Sequence, residues 1–325
     1  MIVPVYNAEK FLAKCISSVV SELEAQDELI LVNDGSKDSS EQICRQYQAA
    51  NVQVYSIENH GVSFARNYGI ERAKGEYYMF LDADDYLKPG WRELCAKGTQ
   101  LQKDIVYFTN TVVSKEKKEI VRSILQLPTS SDYGIFPGAC WGKLFRASLV
   151  EEQKIRFPLG VINGEDGLFH LYAVKAAESW EAVQTPSFYY YRENLTSATH
   201  VFNEKYVGSN RKYIQILREI LNGWSLFDEN EVASYIDFVT ACSLYILACR
   251  IAVIKDLQIR KDKYQLFCLP EFACMSDKVS LKNRIATQIV RLIQKRKYNA
   301  AIALVSVEKQ MRYLLGKVRG FFDGQ

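Results

Sequence analysis

Tyr77-Tyr78-Met79-Phe80-Leu81-Asp82-Ala83-Asp84-Asp85 reads as a buried strand that runs straight into three carboxylates. Five apolar or aromatic residues without alternation suit a strand covered on both faces, as in a parallel sheet. Three acids in four positions repel one another, which is costly without a counter-cation. Oxygen-rich groups of this kind suit Mg²⁺ or Mn²⁺, which take one or two carboxylates and complete their shell with substrate phosphates. The plainer alternative is a solvated acidic turn before the helix that Pro89 would open.

Working back toward the N-terminus, short apolar runs alternate with amphipathic stretches. Ile2–Val5 predicts a strand. Phe11, Leu12, Cys15, Ile16, Val19, Val20 and Leu23 recur at helical spacing. Leu29–Val32 and Val52–Tyr55 predict further strands. A helix capped by Ser36–Ser40 lies between them, and a second helix is expected from Gly61 to Lys74, closed by Gly75. This βαβαβαβ order implies a mostly parallel sheet with helices on both faces.

Sheets of this class bind ligands beyond the carboxyl ends of their strands. The first strand ends in Tyr6-Asn7, the second in Asn33-Asp34-Gly35-Ser36, the fourth in the acidic triplet. Three polar clusters at three strand ends would converge on one crevice. Individually each has a structural explanation: Asp34 as an Asx-turn or helix cap, and Arg66, within Asn59-His60-Gly61-Val62-Ser63-Phe64-Ala65-Arg66-Asn67-Tyr68-Gly69, as an ordinary helix arginine. Arg66 and Asn67 could instead face a diphosphate from one early helical turn.

Beyond Asp104 the pattern changes. Ile105–Phe108 predicts a strand, Lys115–Glu119 a charged turn, and 126–140, with its prolines and glycines, a loop. Strands are expected at Ala182-Val183 and Phe188–Tyr191, and the chain beyond Tyr206 is expected to be all-helical. The run 238–254 falls short of the ~20 apolar residues of a membrane span and is expected to be a buried helix.

Together, Pro4-Val5-Tyr6-Asn7, Val32–Ser36, Asn59–Gly69 and Gly75-Glu76-Tyr77 leading to Leu81–Asp85 resemble family 2 glycosyltransferases. The resemblance is specific over residues 2–90, moderate to about 200 and absent beyond, and is greatest to bacterial members that build cell-surface polysaccharides. It implies the GT-A fold, an α/β architecture, with a helical C-terminal extension. The expected boundaries are 1–205 for the catalytic domain (1–100 nucleotide-sugar half, 101–205 acceptor half) and 206–325 for the helical domain.

The resemblance also implies roles. Asp34 would contact the base, and Pro4, Tyr6 and Asn7 would frame the nucleoside, with Asn59 and Ala83 among the donor-site residues. Asp82 would meet the ribose side. Asp84 would ligate the divalent cation, with His200 as a further candidate ligand. Arg66 would hold the diphosphate or order the acidic loop. Tyr190-Tyr191-Arg192 resembles a segment near the diphosphate, where Arg192 could take leaving-group charge.

Gly164-Glu165-Asp166-Gly167 resembles the pair that heads a helix and carries the general base, assigned to Asp166 with Glu165 in support. Adjacent carboxylates raise each other's pKa, while a helix start favours the anion; two acids capping a helix is the structural alternative. Trp141 offers a flat face for an acceptor sugar, or is a core aromatic.

The implied activity is inverting, metal-dependent transfer (Mn²⁺ or Mg²⁺) from a nucleotide diphosphate sugar, UDP-linked by expectation, to a hydroxyl of a glycan or lipid-linked acceptor. A catalytically silent nucleotide-sugar-binding scaffold is the alternative from another class. A sugar nucleotidyltransferase would need a glycine-rich basic loop where Tyr6-Asn7-Ala8-Glu9 stands. The first strand begins almost at the first residue, which raises the expectation of a later start or a trimmed pocket edge.

The chain has 325 residues, 48% hydrophobic and 24% charged, long enough for about two domains. Its eight cysteines show no CxxC spacing, arguing against a metal cluster or disulfide framework and for a reducing compartment. Met1–Tyr6 has no basic start or long apolar stretch, so the expected location is cytoplasmic. Net charge is +3, but residues 282–320 carry ten Lys or Arg and one acid. A basic helical tail on an acidic body suggests peripheral contact with the inner face of the membrane, or packing on the chain or in a homodimer. No nucleic-acid motif accompanies the charge.

Overall fold

A computed structural model describes residues 1–111, 113–125, 138–186, 188–192, 205–273, 275–276, 279–281 and 283–308. The chain divides into two compact units, Met1–Leu195 and Thr196–Gln325.

The first unit opens with β1 (Ile2–Val5), α1 (Glu9–Val20), β2 (Leu29–Asp34), α2 (Ser40–Gln46), β3 (Val52–Ile57), α3 (Val62–Ile70), β4 (Tyr77–Tyr78) and β5 (Tyr86–Leu87). Then follow α4 (Trp91–Gln100), β6 (Ile105–Thr109), α5 (Lys117–Leu125), β7 (Lys143–Arg146), α6 (Ala147–Glu152), α7 (Glu165–Ala176), β8 (Trp180–Gln184) and β9 (Tyr189–Tyr190). β1, β2 and β3 form a parallel sheet in that order. β2 is buried throughout, which is why its apolar stretch shows no alternation. A second sheet runs β4-β7-β6-β8. The two meet at the predicted fourth strand. Ile2 N donates to Met79 O at 2.9 Å and Leu81 N to Ile2 O at 3.1 Å. The acidic triplet is thereby delivered beside the end of β1.

Leu12, Cys15, Ile16 and Val19 are the buried face of α1. α3 lies against β1 because residue 69 is glycine: a Cβ there would come within 2.5 Å of Ile2 Cγ2. This close approach fixes the height of Arg66, one turn earlier on the same helix.

Two local expectations are corrected and one strand is added. α3 ends at Ile70, not at Gly75. The amides of Arg72 and Ala73 both turn back to Gly69 O, and Lys74 N is captured by Glu28 Oε2 at 3.0 Å. Lys115–Glu119 is not a turn; it leads into α5, whose buried Ile120, Val121, Ile124 and Leu125 form an apolar helical face beyond the charges. Lys143–Arg146 is a strand that pairs antiparallel with both β4 and β6. Residues 126–137 of the expected loop lie outside the described residues.

The second unit is helical among its described residues: α8 (Lys205–Asn222), α9 (Glu229–Ala252), α10 (Leu257–Asp262), α11 (Pro270–Ala273), α12 (Arg284–Gln294) and a further stretch at 298–308. α9 starts at a capping box between Asp228 and Glu231. It is long and apolar enough to cross a membrane, but 56% of its most apolar window is buried inside the protein. α12 buries Ala286, Ile289, Val290 and Ile293 in this unit's core. That part of the basic tail packs its apolar face within this unit.

Candidate functional site

The ends of β1 and β2 are held by backbone and side-chain locks. Pro4 is buried within β1, and Tyr6, which follows it, is 49% exposed. Asn7 takes a left-handed conformation (φ 47°). Its Oδ1 accepts from Lys37 N at 2.8 Å and its N donates to Ser36 Oγ at 3.0 Å. Asp34 is buried and its carboxylate accepts the amides of His60 and Gly61, one on each oxygen, both at 2.8 Å. Asn59 Nδ2 donates to Asp34 O at 3.1 Å. Asp34 therefore closes the 59–61 turn. Gly35 has φ +67°, and a Cβ on it would lie 2.8 Å from Asn59 N; only glycine fits that approach.

The centre is Arg66. It is 3% exposed and reaches three carboxylates from two distant parts of the chain. Nη2 donates to Asp82 Oδ1 at 2.7 Å, while Nη1 donates to Asp166 Oδ1 at 2.7 Å and to Glu165 Oε1 at 3.1 Å. Both terminal nitrogens are thus committed to carboxylates, so the residue orders the acidic loop. Its Nε has no hydrogen-bond partner among the described residues.

One guanidinium faces three carboxylates, of which Glu165 is buried and Asp82 and Asp166 are half-buried, and burial with the crowding of like charges raises the pKa of Glu165 and Asp82. Burial, then the adjacent Asp166, push Glu165 well above the usual carboxylate range against the pull of Arg66. Burial raises Asp82 too, with Arg66 opposing and Asp166 adding. For Arg66, burial disfavours the cation, but Asp166 and the other acids more than restore it. Glu165 and Asp166 head α7, as expected. The Asp166 side chain is the more exposed of the pair, 20% against 11%, and its Oδ2 accepts weakly from Cys140 N at 3.4 Å.

The third acid of the triplet has a different role, which sequence reading missed. Asp85 is 1% exposed. It accepts Tyr189 Oη–H at 2.6 Å and Arg192 N–H at 2.7 Å. The same Tyr189 hydroxyl accepts from Asp82 N at 3.3 Å. Burial pushes Asp85 up to about 7, against the bonds from Arg192 and Tyr189. The ladder of Tyr86 with Tyr190 and Leu87 with Tyr189 secures the two segments. The only hint in the sequence was the tyrosine run at 189–191.

Trp141 is 5% exposed and stacks on Tyr189 at 4.4 Å and 15°. It supports the loop from the core, and the flat sugar platform expected of it is not on the surface. Ala83 is buried and Asp84 half-buried. The guanidinium of Arg192 lies over Phe11 at 4.7 Å and Tyr86 at 5.9 Å. His200 lies outside the described residues.

A parallel half-sheet feeding an acidic loop, joined by one buried arginine to an acidic helix start, defines an α/β transferase of the GT-A class. The chain belongs to glycosyl transferase family 2, whose family profile matches residues 1–177. It is 31% identical over 229 residues to glycosyltransferase GlyA of Streptococcus pneumoniae, covering 64% of this chain and 32% of that one. It is 32% identical over 216 residues to the uncharacterized glycosyltransferase EpsJ of Bacillus subtilis, covering 62% of each. The match thus spans less than two thirds of either relative. Among solved structures, Staphylococcus aureus TarS 1–349 in complex with UDP-GlcNAc aligns over 95% of this chain and 90% of that one, with TM-score 0.60 at 19% identity. That likeness shows the fold, which is GT-A.

Proposed function

We propose that this protein is an inverting, metal-dependent glycosyltransferase that moves a sugar from a UDP-linked donor to a hydroxyl of a glycan or lipid-linked acceptor in surface polysaccharide synthesis. The observation that carries the reading is the Arg66 bridge between Asp82 on the acidic loop and Glu165-Asp166 at the head of α7. It sets a donor-side and an acceptor-side carboxylate on one rigid centre. The fold shared with a UDP-GlcNAc complex supports the donor class. The likeness to a poly(ribitol-phosphate) beta-glucosyltransferase of Bacillus spizizenii, 31% identical over 58% of this chain, supports the polymer class of acceptor.

In this reading Asp166, the more exposed acid, accepts the proton of the acceptor hydroxyl as that oxygen bonds to the anomeric carbon. The bond from that carbon to the diphosphate breaks on the opposite face and its electron pair leaves with the diphosphate. Arg66 and the largely protonated Glu165 keep Asp166 in place. Pro4, Tyr6, Asn7, Asp34 and Asn59 form the nucleoside end, and Arg192 faces leaving-group charge.

The residues fit a divalent cation of the Mn²⁺ or Mg²⁺ kind. Asp82 and Asp84 offer hard oxygen ligands, and among the described residues no group of three or more His, Cys, Asp or Glu is placed to hold a metal alone. That suits a cation completed by donor phosphates. Asp84 would hold it, and when bound it supplies Lewis-acid neutralisation of the leaving diphosphate. The reading also places the enzyme in the cytoplasm, with the basic residues of 309–320 as its contact with the inner face of the membrane; absence of flotation with anionic vesicles at low salt removes that contact.

Calorimetric titration with UDP and with GDP, each with and without Mn²⁺, tests the donor site. Metal-dependent binding of one nucleotide, weakened sharply in Asp84→Asn, is expected. A folded protein that binds neither sinks the donor assignment.

A further inference from the structure

The first unit contains a cavity of about 220 Å³. Its walls come from β6, α5, α7 and the start of β7. Thr111 and Glu119 are exposed and form part of its rim. Lys143, Tyr107 and His170 lie deep in the protein, 1%, 7% and 1% exposed. At ~30 Å³ per molecule, the space equals about seven waters, or one small polyol bearing a charged group.

Its chemistry is unlike that of a packing defect. Lys143 Nζ makes a single hydrogen bond among the described residues, to Ala139 O at 2.6 Å. An ammonium has three donors, so two are without protein acceptors. No carboxylate is within ion-pair distance of Lys143 among the described residues, although a buried cation is costly unless paired. Around it stand hydroxyl groups: Thr109 Oγ1 and Thr111 Oγ1 share a 2.8 Å bond, and Tyr107 Oη meets His170 Nε2 at 2.9 Å. Glu119, at the rim, is already paired with Arg122. Lys143 stands at the deep end, where burial lowers its pKa to about 8, and the walls mix these hydroxyls with Phe108, Val113, Ile120 and Ile124. Two of its residues are linked through the chain to the acid pair: His170 follows Asp166 by one helical turn on α7, and Lys143 lies three residues after Cys140, whose amide reaches Asp166.

We propose that this cavity is an anion-accepting subsite, in which Lys143 receives a phosphate or carboxylate group borne by a hydroxyl-rich acceptor while Thr109 and Thr111 bind its hydroxyls. Assigning that ligand to the acceptor rests on the transferase reading above; the anion site itself does not. The subsite would select acceptors by charge at a point separate from the donor, and would hold the reacting hydroxyl near Asp166 by anchoring its neighbour.

The test uses the full chain saturated with UDP and Mn²⁺, titrated calorimetrically with glycerol 3-phosphate, with glycerate and with glycerol. Binding of one or both anions and none of glycerol is expected, and the two anions separate a phosphate from a carboxylate ligand. Lys143→Met keeps the stem, and replacing a buried ion by an apolar group of similar volume leaves stability nearly neutral. It should weaken the anion at least about tenfold and leave UDP affinity unchanged. Thr111→Val, at an exposed position, should weaken it about two- to tenfold even if Lys143→Met fails to fold. Anion binding that is absent, or equal in wild type and both variants, overturns the proposal. Failure of UDP to bind, with Lys143-dependent anion binding intact, overturns the transferase reading and leaves the subsite standing.

Discussion

Arg66 Nη1 lies 2.7 Å from Asp166 Oδ1 although 100 residues separate them in the chain. The same guanidinium binds Asp82 at 2.7 Å through its other terminal nitrogen. The acidic loop and the head of α7 are therefore joined electrostatically at Arg66.

Arg66→Met should be severely destabilising. Removing the cation leaves Asp82, Glu165 and Asp166 without their common partner in a buried site, and breaking such a pairing costs roughly 3–5 kcal/mol. Urea denaturation at pH 7 measures the loss. Arg66→Lys should recover only part of it, because one ammonium cannot span both sides as a planar fork does. A variant as stable as wild type would contradict the central role of this residue.

Asp166→Asn should lower sugar transfer by roughly 10²–10⁴-fold, the usual contribution of a general base, while UDP affinity stays within about twofold. Glu165→Gln should cost far less in rate, since Glu165 already holds its proton near neutrality. Steady-state kinetics and nucleotide titration on the same preparations separate the two. Equal losses in both variants would reassign the base.

Asp85 should make stability fall as pH rises. Its folded-state pKa is raised from 3.8 to about 7, so the folded chain holds this proton more tightly than the unfolded one. The contribution is complete below about pH 4 and is lost as pH climbs through about 7, at no more than ~1.4 kcal/mol per pH unit. Denaturation of wild type and Asp85→Asn at several pH values between 4.5 and 7.5 isolates this slope. It should flatten in the variant. Tyr189→Phe, which removes the donor to Asp85 Oδ2 and leaves the Arg192 N–H bond to Oδ1, should cost about 1–3 kcal/mol.

Gly35→Ala should disturb the nucleoside end. The left-handed backbone costs an alanine ~1–2 kcal/mol, and its Cβ would press on Asn59 N, which is backbone and cannot step aside. A clear loss of UDP affinity together with a lower melting temperature is expected. Unchanged affinity would show that the 34–35 and 59–61 segments do not shape the nucleotide pocket.

Much of the donor half was legible in the sequence, because its signals are local. Unbroken apolar strands such as Leu29–Val32 announce burial on both faces, and helical spacing from Phe11 to Leu23 announces α1. Both patterns depend on residues within one element. The polar strand ends Asn7, Asp34 and Asp82–Asp85 follow from the same topology, and so does the convergence they imply. Where the sequence misled, a nearby signal hid a tertiary one. The lysines at 115–118 masked the apolar face of α5, and Gly75 drew the end of α3 past the point where Glu28 captures Lys74 N.

What the amino-acid sequence determined by itself was the parallel half-sheet, the family and the residues that carry charge. Only the tertiary structure decided how those charges are shared. Asp85 went to Tyr189 and Arg192, Asp82 went to Arg66, and Trp141 went to the core behind Tyr189. The reason is physical. Strand and helix periodicity is written over a few consecutive residues, whereas the partner of a charged side chain is set by which segments the fold brings within 3 Å, and those segments lie from 16 to 107 residues apart.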